Sequence, residues 1–109
     1  MACMNTSELL QDGELQHRRD AHGVHWLSLN SPGTFNALSE SMLQALQQSI
    51  ERVAADDTAR AVVLGANGKA FCAGHNLKEM KAHPALDYYQ KLFAQCTRMM
   101  MALRKLPVP

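Results

Sequence analysis

Residues 61–80 read AVVLGANGKAFCAGHNLKEM, and the order of residue types in this stretch decides the fold. Ala61 to Ala66 is apolar without alternation, the pattern of a strand covered on both faces, as in a parallel sheet. Asn67-Gly68 is a turn signal. Small residues follow at Ala70, Cys72, Ala73 and Gly74, and they let a ligand come close to the backbone. Asn76 is placed to cap a short helix from Leu77 to about Ala82. Glu79, three residues later, is placed to reach back as in a capping box. The N–H groups from His75 to Lys78 would then lie at a helix N-terminus, partly unpaired and favouring negative charge. Such a terminus suits an anion or a developing oxyanion. On these residues alone, a capped helix after a connecting loop is the simpler reading.

Upstream, Ser39 is an N-cap candidate with Glu40 in the first turn. Leu43, Leu46, Ile50 and Val53 recur at helical spacing, so an amphipathic helix is expected from Glu40 to Ala55. Before it, Val24 to Asn30 alternates, with His25, Leu27 and Leu29 on one side and Val24, Trp26 and Ser28 on the other. Glu14 to Asp20 reads as a polar edge strand, joined to the next by a turn at Ala21-His22-Gly23. Strand, helix and strand in this order make a βαβ unit, expected to be right-handed. Residues 1–13 show no periodicity and read as a loose leader, leaving residues 14–109 as one partial domain.

Downstream, Pro84 is expected at the first position of another helix. Leu86, Tyr89, Phe93, Cys96, Met100 and Leu103 form its apolar stripe, and Pro107 and Pro109 end it. The Met99-Met100-Met101 run reads as core filler or a subunit contact.

Composition removes several classes of function. The 11 basic and 10 acidic side chains leave no surplus that would favour nucleic acid or an anionic membrane. Cys3, Cys72 and Cys96 are an odd set without paired spacing, unlike a secreted disulfide framework, and no cysteine–histidine cluster indicates a metal. Met1 to Glu14 is polar and mildly acidic, unlike a signal peptide or an Arg-rich transit peptide. A reducing compartment is expected, most simply the cytoplasm.

Several motifs then agree in order and spacing. Ala61-Val62-Val63-Leu64-Gly65, Gly68 to Gly74 and Leu77-Lys78-Glu79-Met80 together resemble the oxyanion-hole segment of the enoyl-CoA hydratase/isomerase (crotonase) superfamily. Leu29-Asn30-Ser31-Pro32 and Asn36-Ala37-Leu38-Ser39 resemble that family's second-strand exit and the start of its first helix. Pro107-Val108-Pro109 resembles the approach to its next strand. The resemblance implies an α/β fold of the crotonase-like ββα spiral type, of which this chain is the N-terminal portion. It implies an acyl-CoA thioester substrate in fatty-acid metabolism, with coenzyme A as part of that substrate and no separate cofactor or metal. A homo-oligomer is implied for a complete protein.

By the same resemblance, the His75 backbone N–H is the oxyanion donor, and Ala73, His75, Asn76, Leu77 and Lys78 contact substrate. Three positions depart from the usual pattern. His75 stands where most relatives have Ala, a feature shared with one subgroup. It narrows the acyl pocket and brings an imidazole able to titrate near neutral pH, though filling space is its simpler role. Asn76 replaces the usual Asp, keeping the cap and losing a charge. Thr34 stands where many relatives have Lys or Arg, which removes a phosphate contact. The family's second oxyanion donor and its catalytic glutamates have no counterpart in these residues. Glu40, Glu51, Asp56 and Asp57 are expected at solvated helix ends. The chain alone is therefore expected to be inactive as a hydratase; the alternative is a non-catalytic acyl-CoA-binding or subunit-interaction fragment.

Overall fold

The computed structural model describes residues 7–109. Ser7–Gln11 (β1), Leu15–Asp20 (β2), Val24–Leu29 (β3) and Ala61–Ala66 (β4) form one sheet in the order β1-β2-β3-β4. Helices Glu40–Ala55 (α1), Leu77–Ala82 (α2) and Leu86–Arg104 (α3) complete the described residues, with a 3₁₀ turn at Pro32–Thr34.

The β2–β3 hairpin closes through a turn that its sequence prescribes. Asp20 Oδ1 accepts the N–H groups of His22 and Val24 at 2.8 and 3.1 Å. Gly23 holds φ +85°, and a Cβ there would lie 2.6 Å from Thr58 O, so only glycine fits. β3 then pairs with β4 in parallel, Val24 opposite Ala61 through Leu29 opposite Ala66, with α1 as the crossover. The α1 boundaries are those expected, and the Ser39 side chain accepts Met42 N–H at 3.0 Å.

The core lies between the inward face of β2 and β3 and the apolar stripes of α1 and α3. Leu15, Leu27 and Leu29 of the sheet meet Met42, Leu43, Leu46 and Ile50 of α1 and Leu92 and Met99 of α3. Burying one such leucine stabilises the fold by roughly 2 kcal/mol relative to leaving it in water. The alternation read in β3 is borne out: His25, Leu27 and Leu29 are buried.

Four expectations change. The loose leader gives way to β1 over Ser7–Gln11, antiparallel to β2 with a register shift between Leu9 and Gln11; residues 1–6 lie outside the described residues. β2 is therefore not an edge strand. Pairing on both sides suits it because its inward positions, Leu15 and His17, are fully buried. Pro84 precedes α3 instead of opening it; Ala85 is the cap and Leu86 the first helical residue. β4 keeps its parallel pairing but is not covered on both faces. Val63 and Leu64 are about 40% exposed (40% and 37%), because β4 ends the sheet and Pro109 O, accepting Val62 N–H at 2.8 Å, is the first group along its outer side.

Candidate active site

Two segments carry the site: residues 32–38, after β3, and residues 67–76, between β4 and α2. They run side by side. Ala73 N–H donates to Phe35 O at 3.0 Å, and Leu38 N–H donates to Gly74 O at 2.7 Å. Leu38 and His75 form an isolated parallel bridge.

Asn36 clamps the two segments. Its side chain is fully buried; Oδ1 accepts Ser31 N–H at 2.7 Å, and Nδ2 donates to Asn67 O at 2.8 Å and Ala70 O at 2.9 Å. Its backbone is left-handed at φ 57°, a conformation that asparagine tolerates better than most residues. Sequence reading used Asn36 only as part of a family pattern. Its neighbourhood of Pro, Gly and Asn signals a turn and places Ser31 nearby, but Asn67 and Ala70 lie far along the chain and leave no trace in local spacing.

The segments enclose a pocket of about 320 Å³. All five residues expected to contact substrate, Ala73, His75, Asn76, Leu77 and Lys78, line it. Thr34, Phe35 and Ala37 line it from the other segment, and its lining holds no Asp or Glu. A separate, wholly apolar cavity of about 80 Å³ lies between the sheet, α1 and α3, with Leu38 and Cys72, the sequence neighbours of Ala37 and Ala73, in its lining.

His75 contributes its main chain and its ring differently. Among the described residues its N–H finds no hydrogen-bond acceptor. Its imidazole packs on Phe93 of α3, ring centroids 5.2 Å apart, and the buried Nδ1 has no partner among the described residues. The ring fills space here. Gly74 holds φ +85°, and a Cβ built on it would meet nothing within 4 Å, so a side chain would project into open space beside the pocket.

The helix terminus is more occupied than expected. Asn76 Oδ1 accepts the N–H groups of Lys78 and Glu79 at 3.0 and 3.1 Å, so the Lys78 donor is already used. The capping box does not form. Glu79 Oε1 instead accepts Glu40 N–H at 3.0 Å, because the start of α1 lies within reach and carries its own orphan donors. With six residues, α2 adds little macrodipole. Thr34 Oγ1 is turned back on its own turn, 2.8 Å from Ser31 Oγ and 3.1 Å from Ser31 O.

Glu40 and Asp56, expected at solvated helix ends, have partners on other elements. Glu40 accepts the Tyr88 hydroxyl at 3.0 Å, and burial, then this bond, pushes the phenol up to about 12. Asp56 accepts Thr58 Oγ1 at 2.6 Å, Arg19 Nε at 2.8 Å and His25 Nε2 at 2.8 Å. These bonds, Thr58 first, hold its carboxyl well below the usual carboxylate range. Neither acid lines the site pocket.

Comparison with known proteins places this geometry. Residues 24–109 match the family model described as enoyl-CoA hydratase/isomerase. The chain is 39% identical over 106 residues to the enoyl-CoA hydratase domain-containing protein 3, mitochondrial, of Xenopus laevis, covering 97% of this chain and 36% of that protein. Among solved structures, an enoyl-CoA hydratase from Mycobacterium smegmatis shares 55% identity at a TM-score of 0.88, covering 90% of this chain and 38% of that one. Human enoyl-CoA hydratase domain-containing protein 3 shares 32% at a TM-score of 0.81, covering 89% and 38%. The chain thus spans about a third of the length of the relatives it matches.

The subgroup suggested by Gly74-His75 is represented among these relatives. The cytoplasmic expectation is contradicted: the Xenopus laevis, Homo sapiens and Rattus norvegicus relatives are named mitochondrial. A balanced charge and unpaired cysteines suit any reducing compartment and do not separate one from another. Motif order, parallel βαβ register, site geometry and similarity agree: the chain belongs to the enoyl-CoA hydratase/isomerase family.

Proposed function

We propose that this chain supplies one half of an acyl-CoA thioester site serving fatty-acid metabolism, with the His75 main-chain N–H as one oxyanion donor. The observation that carries the reading is the His75 N–H, without an acceptor among the described residues and in a segment that lines the pocket. A thioester carbonyl seated there gains negative charge when its α-carbon loses a proton, or when a nucleophile adds at the β-carbon, because either step gives an enolate. A fixed donor aimed at that oxygen stabilises the charged state more than the ground state. Asn36 and the Leu38–His75 bridge hold the donor in place beforehand, so little reorganisation is needed when charge develops. Coenzyme A arrives as part of the substrate, and no further cofactor is invoked.

Hydration also needs water activated at the β-carbon and a proton delivered at the α-carbon. The pocket lining offers no carboxylate for either task. The activity of the whole protein therefore depends on groups beyond these residues, in a homo-oligomer of complete subunits, and the 109-residue chain alone is inactive.

The test grafts Gly68 to Met80 into a full-length active relative and compares three substitutions in the graft. His75→Ala keeps the N–H and should change turnover little. His75→Pro removes the donor and should cost about 3 kcal/mol of transition-state stabilisation, on the order of a hundredfold in rate. Gly74→Val should weaken substrate binding by filling open space at a backbone angle that valine strains to adopt. If His75→Ala were as damaging as His75→Pro, the imidazole would be the working group and the main-chain assignment would fail.

A further inference from the structure

A second polar constellation lies apart from the proposed site, and none of its members lines that pocket. Five side chains from β1, β2, β3, α1 and the α1 C-cap make one unbroken line. Asp56 Oδ2 is 2.8 Å from His25 Nε2, and His25 Nδ1 is 2.7 Å from His17 Nε2. His17 Nδ1 is 3.0 Å from Ser49 Oγ, which is 2.9 Å from Gln11 Oε1. His17, His25 and Ser49 are at most 1% exposed, so water cannot substitute for a missing partner.

Counting protons restricts what this line can be. The Asp56 carboxylate only accepts, so His25 Nε2 carries a proton. The His17–His25 contact then needs one hydrogen between its two nitrogens, supplied by either ring. If His17 supplies it from Nε2, His25 is neutral, and His17, kept neutral by burial, accepts the Ser49 hydroxyl proton at Nδ1. Gln11 must then turn its amide so that N–H faces Ser49 Oγ. If His25 supplies it from Nδ1, His25 is an imidazolium beside Asp56. His17 is then neutral with its proton on Nδ1, donated to Ser49 Oγ, and the Ser49 hydroxyl donates to Gln11 Oε1. The second arrangement holds one proton more than the first. The structure's Gln11 orientation fits the second; amide orientation is assigned from such networks.

We propose that Gln11, Ser49, His17, His25 and Asp56 form a buried one-proton relay: the three hydrogen bonds from Gln11 to His25 reverse direction together when the proton is taken up, while His25 Nε2 donates to Asp56 throughout. A proton arriving at Ser49 from the Gln11 side displaces the hydroxyl proton to His17 Nδ1. The His17 Nε2 proton passes to His25 Nδ1, and the charge emerges beside Asp56. No bond other than N–H and O–H is made or broken, and only the Gln11 amide has to turn. The relay accepts one proton and not two, because a second would set N–H against N–H across the 2.7 Å contact.

The surrounding charges fit this polarity. From β2, Arg19 holds Asp56 at 2.8 Å, keeping it an anion ready to face an imidazolium. Burial first, then His25 and Arg52 of α1, disfavour charge on His17. Glu8 of β1 lines the same surface pocket as Arg19, His25, Arg52 and Asp56. Charge is thus steered to the His25 end. Since the line crosses every element that packs α1 on β1–β3, its protonation state is coupled to how those elements are joined.

Imidazole ¹⁵N–¹H spectra of the complete chain between pH 9 and 5 test this. The relay allows two combinations: neutral His25 with His17 protonated on Nε2, or charged His25 with neutral His17 protonated on Nδ1. The expected result is that His17 changes tautomer at the pH where His25 changes charge; one combination held across the whole range would overturn the proposal. His25 titrating while the His17 tautomer stays fixed would overturn the proposal, as would a mixed combination at any pH. Gln11→Glu, at a half-buried position that then only accepts, should raise the midpoint by about one pH unit, a tenfold gain in proton affinity. Ser49→Ala should uncouple the His17 tautomer from His25. An unchanged coupling in Ser49→Ala would also overturn it. If either variant fails to fold, the spectra of the unaltered chain decide.

Discussion

Replacing Asn36 should release the loop that carries the candidate donor. The side chain makes three hydrogen bonds, to Ser31, Asn67 and Ala70, from a fully buried position. Each contributes about 1 kcal/mol net, and leaving buried partners unpaired costs at least that much. Alanine would also have to hold φ 57°, at a cost of about 1 kcal/mol beyond asparagine. Asn36→Ala should therefore lose about 4 kcal/mol. Asn36→Gly, free of the backbone strain, should lose about 3 kcal/mol. Asn36→Asp should be as harmful as alanine, because a carboxylate cannot donate to the two carbonyls that Nδ2 serves. Urea unfolding of the chain and its variants measures the differences. A small domain has roughly 5–15 kcal/mol in total, so loss of a cooperative transition in Asn36→Ala also fits. An Asn36→Ala variant within about 1 kcal/mol of the parent, or a glycine variant weaker than alanine, would refute the clamp.

Acid should weaken the chain before its carboxylates protonate. Burial, His25 and Arg52 lower His17 from 6.5 to about 4. The unfolded chain then binds more protons than the folded one between those values. The His17 contribution is complete above about pH 6.5 and is lost as pH falls to about 4, amounting to about 3 kcal/mol at 1.36 kcal/mol per pH unit. Thermal melts at pH 7.5 and 4.5 should show it, and equal midpoints would contradict it. The chain should also self-associate. Val63, Leu64, Phe71, Met100 and Met101 expose apolar surface, and β4 ends the sheet. Sedimentation should show dimers or larger species at micromolar concentration; a monodisperse monomer with a sharp melt would count against this.

The parts of the fold that were legible share one property: their signals are local. Ser39 caps α1 with its own hydroxyl, Leu43 to Val53 bury at helical spacing, and Ala61 to Ala66 is a strand by composition. Asn76 likewise caps α2 from its own position. The features that escaped depend on partners far along the chain. β1 has no apolar pattern and exists because β2 offers it an edge. Glu79 has two orphan helix starts within reach, and spacing alone favours the wrong one. Asp56 looks like a solvated helix end until β2 and β3 bring Arg19 and His25 to it. The one local hint of the relay was His25, alternating in phase with Leu27 and Leu29 and so pointed at the core. At the site, the residues were legible through the family's motif order, whereas the Asn36 clamp required the three-dimensional path of the 67–73 loop.

The central claim concerns one amide, and it is most directly tested there. The ¹⁵N-labelled chain is titrated with a β-ketoacyl-CoA thioester, whose enolate persists, and the His75 amide proton is followed. The account predicts a downfield shift of His75 N–H larger than that of Lys78, whose N–H is already bonded to Asn76. A His75 amide that stays in place while the ligand saturates shifts elsewhere in the pocket would contradict it.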